Sequence, residues 1–74
     1  MEIKEFIEKF AEVIEVEDVM SLTPETEFHH LDEWSSISVM QVVAFFDEEF
    51  EKEIGGTEIK SMKTIQDLYD YAMN

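Results

Sequence analysis

The sequence has no cysteine, one proline and two glycines. Without cysteine there is no disulfide, no thiolate zinc site and no thiol nucleophile of the chain's own, so any thiol chemistry needs an added group. So little glycine and proline leaves few turns for a β architecture, and a compact helical fold is the expectation. Basic residues are scarce as well: five Lys and Arg stand against nineteen Asp and Glu, for a formal charge of −14. Nucleic acid and anionic membrane surfaces should repel such a chain, whereas basic patches on other proteins should attract it. No apolar run approaches the roughly 18 residues of a membrane span. The acidic start Met1-Glu2-Ile3-Lys4-Glu5 lacks the basic region of a secretory signal, so the cytoplasm is the expected location. Enzyme signatures are missing too. There is no nucleophile with its base and orienter, no phosphate-binding glycine loop, and no calcium loop of alternating aspartates around a glycine. Among nineteen acids a pair of carboxylates is always available, so a dyad drawn from them would have no specificity.

What is present fits one domain spanning residues 1–74, with 45% hydrophobic residues and six Phe for a core. A chain this short buries only about 60% of the surface its unfolded form exposes, so modest stability is expected. From Met1 to about Glu15, Ile3, Phe6, Ile7, Phe10, Val13 and Ile14 recur at helical spacing among Glu and Lys, which reads as an amphipathic helix. From Val16 to Ser35 the period is lost around Leu22-Thr23-Pro24-Glu25-Thr26. The scattered Val19, Leu22, Phe28, Leu31 and Trp34 read as anchors holding a long loop across the helices. A second long helix is expected from Ser35-Ser36 to about Ile54, stopped at Gly55-Gly56 by a left-handed glycine. Thr57 to Ser61 reads as a short helical turn with Ile59 and Met62 directed inward. The last helix opens at a capping box, Thr64 with Asp67, and carries the stripe Ile65, Leu68, Tyr69 and Ala72. The expected fold is therefore all-α, a four-helix bundle of three main helices and one short one, with a long loop between the first two.

The second helix holds the candidate site. It is apolar nearly all round from Ile37 to Phe46 and acidic from Asp47 to Glu53. Helical spacing puts Met40, Val43, Ala44 and Asp47 on the side that bears Ser36, with Val39, Val42, Phe46 and Phe50 turned mainly to the core. Phe6 and Phe10 belong to the same core.

The run Leu31-Asp32-Glu33-Trp34-Ser35-Ser36-Ile37, followed by Val39 to Phe50 with its Asp47-Glu48-Glu49-Phe50 end, resembles the acyl carrier protein family. The likeness extends over most of the chain, through Leu22-Thr23 and Thr26-Glu27-Phe28 in the loop to the closing Lys63-Thr64-Ile65-Gln66-Asp67-Leu68-Tyr69-Asp70-Tyr71. In that family an Asp-Ser-Leu motif supplies a Ser that receives 4′-phosphopantetheine from coenzyme A through a phosphopantetheinyl transferase. The resemblance places Ser36 at that position, with Ser35 where the family has Asp and Ile37 where it has Leu. The Leu-Asp-Glu-Trp lead-in also differs from the Leu-Gly-Ala form of fatty-acid synthesis carriers.

The resemblance implies a carrier and no enzymatic activity. It would be a cytoplasmic monomer that holds acyl or aminoacyl intermediates as thioesters on the arm, for fatty acid, polyketide or nonribosomal peptide synthesis. It would present them to acyl- or aminoacyl-transferring and condensing enzymes with basic docking patches. The docking residues it implies are Ser35, Ile37, Met40, Gln41, Ala44, Asp47 and Glu48. Two other readings stand beside it. One is an unmodified acidic interaction domain that keeps the fold and has lost the tether, for which Ser35 in place of Asp is the argument. The other is an acidic mimic of nucleic acid, which needs no Ser at the helix start. Taken alone, Ser at a helix start is more often a cap than a modified nucleophile, and Ser35 is read as that cap. His29-His30 has no nearby Cys and only generic carboxylates, so it reads as loop rather than metal site. Trp34 reads as a loop anchor.

Overall fold

Helices α1 (Ile3–Val13), α2 (Ser36–Phe50), α3 (Gly56–Ser61) and α4 (Ile65–Met73) follow one another in a computed structural model that describes residues 1–74. The three main helices α1, α2 and α4, the short α3 and the long loop after α1 match the expected all-α bundle. There is no strand, only an isolated bridge between Glu27 and Thr64. Helix α1 packs against α2 and α4, and α2 packs also against α3 and α4. Sixteen buried hydrophobic residues form one cluster.

Phe6, Ile7, Phe10 and Ala11 are the buried stripe of α1, spaced at i, i+1, i+4 and i+5 as an amphipathic helix requires. Phe6 is the centre of an aromatic group. Its ring lies 5.7 Å from Phe45, 6.2 Å from Phe46, 5.9 Å from Phe50 and 5.5 Å from Tyr69, joining α1 to both α2 and α4. On α2, Val42 and Phe46 are buried as expected, while Val39 and Phe50 are half-buried. Phe45, which helical spacing did not single out, is also buried, because α1 covers the flank of α2 that carries it.

The end of α2 departs from expectation. The helix stops at Phe50 rather than near Ile54, and the left-handed residue is Glu51 (φ 50°), not a glycine. The Glu51 N–H bonds Asp47 O at 3.1 Å, and the Lys52 N–H returns to Phe46 O at 3.2 Å. The early stop frees Lys52 to Ile54 from the helix and lets Ile54 enter the core. Gly55 and Gly56 start the next helix instead: the Gly55 N–H bonds Glu58 Oε1 at 2.9 Å as α3 begins. Helix α1 ends in a similar way, at Val13 instead of Glu15. Glu15 is left-handed (φ 60°), and Val16, whose N–H bonds Ala11 O at 2.8 Å, turns into the core. Both glutamates occupy a conformation that a residue with a Cβ adopts at a cost of about 1–2 kcal/mol, offset here by burying the apolar residue that follows.

The loop from Glu15 to Ser35 contains two 3-10 turns, Val19–Ser21 and Phe28–His30. Its apolar residues anchor it: Leu22 and Phe28 are buried, and Val19, Leu31 and Trp34 are half-buried against the core. The loop also closes the start of α4. Thr26 O accepts from the Ile65 N–H at 3.1 Å and Pro24 O from the Gln66 N–H at 2.9 Å, satisfying two of the donors a helix start leaves open. The rest of that turn is the expected capping box. Asp67 N–H donates to Thr64 Oγ1 at 3.2 Å, and Asp67 Oδ2 accepts from the N–H of Lys63 at 3.0 Å and of Thr64 at 3.2 Å. The two backbone donors hold the Asp67 carboxyl below its ordinary value.

Candidate functional site

Helix α2 starts where the loop anchors end. The Trp34 ring meets Phe28 edge-on at 4.9 Å and stacks on Phe10 at 6.4 Å, so the residue just before the cap is fixed to the core. Ser35, extended at φ −145° and ψ −179°, is the N-cap, and Ser36 is the first helical residue. The polar contacts of this turn run through the neighbours of Ser36. The Ser35 N–H donates to Ser38 Oγ at 2.9 Å, and Ser38 Oγ donates to Glu33 O at 3.4 Å. Ser38 is the one buried polar side chain in the chain, and its two contacts tie the lead-in, the cap and the first helical turn together. The Ser36 side chain, by contrast, is exposed.

The electrostatics of this turn are set by what it omits. Helices α1, α3 and α4 each carry an acidic residue in the first turn, Glu5, Glu58 and Asp67, whereas α2 has none. In a chain with nineteen acids, the positive end of the α2 dipole and its open backbone N–H groups are left without a side-chain carboxylate. Chemically, the turn offers an exposed hydroxyl at a helix end that favours an added anion.

Of the docking residues expected from the sequence, Met40, Gln41, Ala44, Asp47 and Glu48 are divided between two grooves along α2. Ile37 and Met40 stand out from the surface, 64% and 72% exposed. Met40 and Asp47, with Val39, Val43 and Ala44, line a groove of about 980 Å³ between α2 and the segment from Lys52 to Glu58. Gln41 and Glu48 line a smaller one of about 410 Å³ on the α1 side, where Lys9 Nζ lies 3.7 Å from Glu49 Oε1. Ala44 borders both, so it marks the ridge between them. Ser35 and Ser36 border neither; they edge a third groove that opens toward α3.

Two residues that shape the site had no role in the sequence reading. Ser38 was legible in principle, since Ser35 and Ser38 stand three apart as a cap pair does, but a serine inside an apolar run does not reveal that it turns inward. His29 was read only as loop. Its Nε2 lies 3.2 Å from Ile59 O and 3.1 Å from Met62 O. Both partners are acceptors, so Nε2 carries the proton and ties the loop to the end of α3. His30 beside it is exposed, 3.9 Å from Glu27. Trp34 is the anchor it was read to be.

No helix is long and apolar enough to cross a membrane. No curated protein and no solved structure matches the chain. The model of one protein family, described as the phosphopantetheine attachment site, matches residues 4–72. That match takes in α2, α3, the loop that fixes the start of α2, and all but one end residue of α1 and of α4, so the chain belongs to the phosphopantetheine attachment site family, a carrier rather than an enzyme, whose prosthetic group is covalent 4′-phosphopantetheine.

Proposed function

We propose that Ser36 is the attachment residue, and that the loaded chain carries acyl or aminoacyl groups between synthetic enzymes. The observation that carries this reading is the Ser36 hydroxyl itself, exposed on the first residue of α2 while Ser35 and Ser38 supply the local capping. The residues present fit the group. A phosphodiester on Ser36 would sit beside open N–H groups at the positive end of a 15-residue helix with no acid in its first turn. The arm supplies the thiol that a chain without cysteine lacks, and with it the thioester linkage to the cargo.

The chain's own part is to present the arm and to be recognised. Ile37 and Met40 give an exposed apolar contact beside Ser36, flanked along α2 by Gln41 and Glu48 toward α1 and by Asp47 toward the Lys52–Glu58 segment, with Ala44 between. With a net charge of −14, this surface should associate quickly with basic patches around the entrances of a transferase or a condensing enzyme, and release easily as salt rises. The same charge opposes self-association, which supports a monomer, acting in the cytoplasm.

The test is intact mass after incubation with coenzyme A and several phosphopantetheinyl transferases. The wild-type chain and Ser35→Ala should gain the phosphopantetheine mass, and Ser36→Ala should not. Equal labelling of both variants would reject Ser36. Absence of an adduct with every transferase would favour the unmodified interaction domain, the reading that Ser35 in place of Asp supports.

A further inference from the structure

Methionine supplies all the sulfur in this chain, as five thioethers and no thiol. The five differ widely in access. Met62 is half-buried against the core, and Met1 and Met73 are each 43% exposed. Met20 and Met40 stand well clear of the surface, at 93% and 72%. Met20 rides on the 3-10 turn Val19–Ser21, which Val19 and Leu22 hold to the core, and it borders none of the three grooves described above. Met40 lies on α2, one helical turn after Ser36. In an α-helix a long side chain leans back toward the residues three and four positions before it, here Ile37 and Ser36. The Met40 thioether therefore belongs to the surface around the hydroxyl, between exposed Ile37 and the groove it shares with Val43 and Asp47.

We propose that Met40 is a modification site: a hydroperoxide converts its thioether to the sulfoxide, and the oxidised chain is then loaded more slowly at Ser36. The inference rests on Ser36 being the attachment residue and on Ile37 and Met40 meeting the transferase. In the step, a sulfur lone pair attacks one oxygen of hydrogen peroxide, the O–O bond breaks and an S–O bond forms. The hydroxide that leaves takes the remaining proton and becomes water. Sulfur loses two electrons and the peroxide gains them. Two consequences bear on loading. An adaptable apolar contact becomes a polar one that must shed water to be buried. The new oxygen is also a hydrogen-bond acceptor one turn from the Ser36 hydroxyl, where it competes for that proton. Met40 is no part of the core cluster, so the fold is not disturbed and the change is confined to recognition. No thiol in the unloaded chain diverts the oxidant. Because methionine sulfoxide is enzymatically reducible, the effect is reversible.

The test uses the unloaded chain. Hydrogen peroxide treatment stopped at about two added oxygens per chain, followed by peptide mapping, should place them on Met20 and Met40 and leave Met62 unmodified. Loading by a promiscuous phosphopantetheinyl transferase with saturating coenzyme A is then timed by intact mass. In wild type and in Met20→Leu, oxidation should lower kcat/KM by about three- to tenfold, the size of one lost apolar contact, through KM for the chain rather than kcat. A pair of methionine sulfoxide reductases, one for each epimer, should restore the rate. Met40→Leu should load at one rate before and after peroxide, whatever that rate is. Met40→Gln, polar from the start, should load slowly without any oxidant. An oxidised wild type that loads as fast as the untreated chain would overturn the proposal and leave the carrier reading intact. So would equal slowing in Met40→Leu, or a Met40 that oxidises later than Met62. Failure of the untreated wild type to load with any transferase would remove the attachment residue, and the effect of Met40 on it as well.

Discussion

The first turns of α2 and α4 share a plan: a hydroxyl residue at the N-cap, and three positions later a polar side chain that accepts the N-cap N–H. In α2 the bond is Ser35 N–H to Ser38 Oγ at 2.9 Å, and in α4 it is Thr64 N–H to Asp67 Oδ2 at 3.2 Å. From there they diverge. The α4 start is closed: Asp67 places a carboxylate on the helix end, and the loop carbonyls of Thr26 and Pro24 take the N–H groups of Ile65 and Gln66. The α2 start is open, with a neutral serine at the corresponding position and its first helical residue, Ser36, exposed. The same local device thus serves stability at one helix and leaves room for chemistry at the other. What separates them is whether an anion is already built in.

The largest effect that would sharpen this contrast comes from removing the two hydroxyls in turn. Ser36→Ala should lose phosphopantetheine loading entirely while changing stability by no more than about 0.5 kcal/mol, as for an exposed residue outside any cap. Thr64→Ala should do the reverse, leaving loading intact and costing about 1 kcal/mol in denaturant unfolding. A Ser36→Ala chain that unfolds markedly more easily would mean that the hydroxyl is part of the scaffold after all.

The next largest concerns the buried serine. Ser38→Ala removes the acceptor of the Ser35 N–H and the donor to Glu33 O together, which should cost about 1–2 kcal/mol. Because those bonds also set the direction of the turn, loading at Ser36 should slow without being abolished. Unchanged stability would show that water replaces Ser38 freely.

A smaller effect separates the turns by pH. Asp67 is held below its ordinary value by the backbone donors of Lys63 and Thr64, so its folded pKa is depressed. Its contribution is therefore present above the unfolded value and is lost as pH falls through the folded one. Asp67→Asn should flatten the acid limb of a stability profile, whereas Ser38→Ala should shift the whole profile down without changing its slope. Parallel acid limbs for wild type and Asp67→Asn would exclude a charged role for this cap.

The two turns were not equally legible in the sequence. Thr64 and Asp67 read as a box because a hydroxyl and an acid three apart before an apolar stripe have a local cause, and the local cause is what the structure uses. The core stripe of α1 and the loop anchors Leu22, Phe28 and Trp34 were legible for a similar reason, since isolated apolar residues in a polar stretch have few other uses. The end of α2 was not. Glycine is the residue that most readily turns left-handed, and Gly55-Gly56 drew the helix end toward it. The chain stops earlier on Glu51 because burying Ile54 outweighs a strained glutamate, a balance set by tertiary packing. Phe45 was missed because a helix apolar all round does not say which neighbour covers which flank. Gln41 and Asp47 were both expected to dock, and the sequence did not show that they line grooves on different flanks of α2. That Ser36 shares a groove with Gly56 and Lys60 of α3 had no signal at all, since it depends on how α3 folds back across α2.

The smallest expected effect tests the contrast most directly. Ser35→Asp gives α2 a negative group near its end, as Asp67 gives α4. In the unloaded chain it should stabilise by about 0.3–1 kcal/mol through the helix dipole and the open N–H groups. With the arm on Ser36, as proposed, the phosphodiester would already lie at that end and repel a second anion beside it, so the gain should shrink or change sign. Melting temperatures of wild type and Ser35→Asp, each with and without the arm, give the coupling between the two charges as a double cycle. Equal gains in both states would mean that the phosphodiester does not rest at the start of α2, and that the missing first-turn acid is unrelated to the group proposed for this helix.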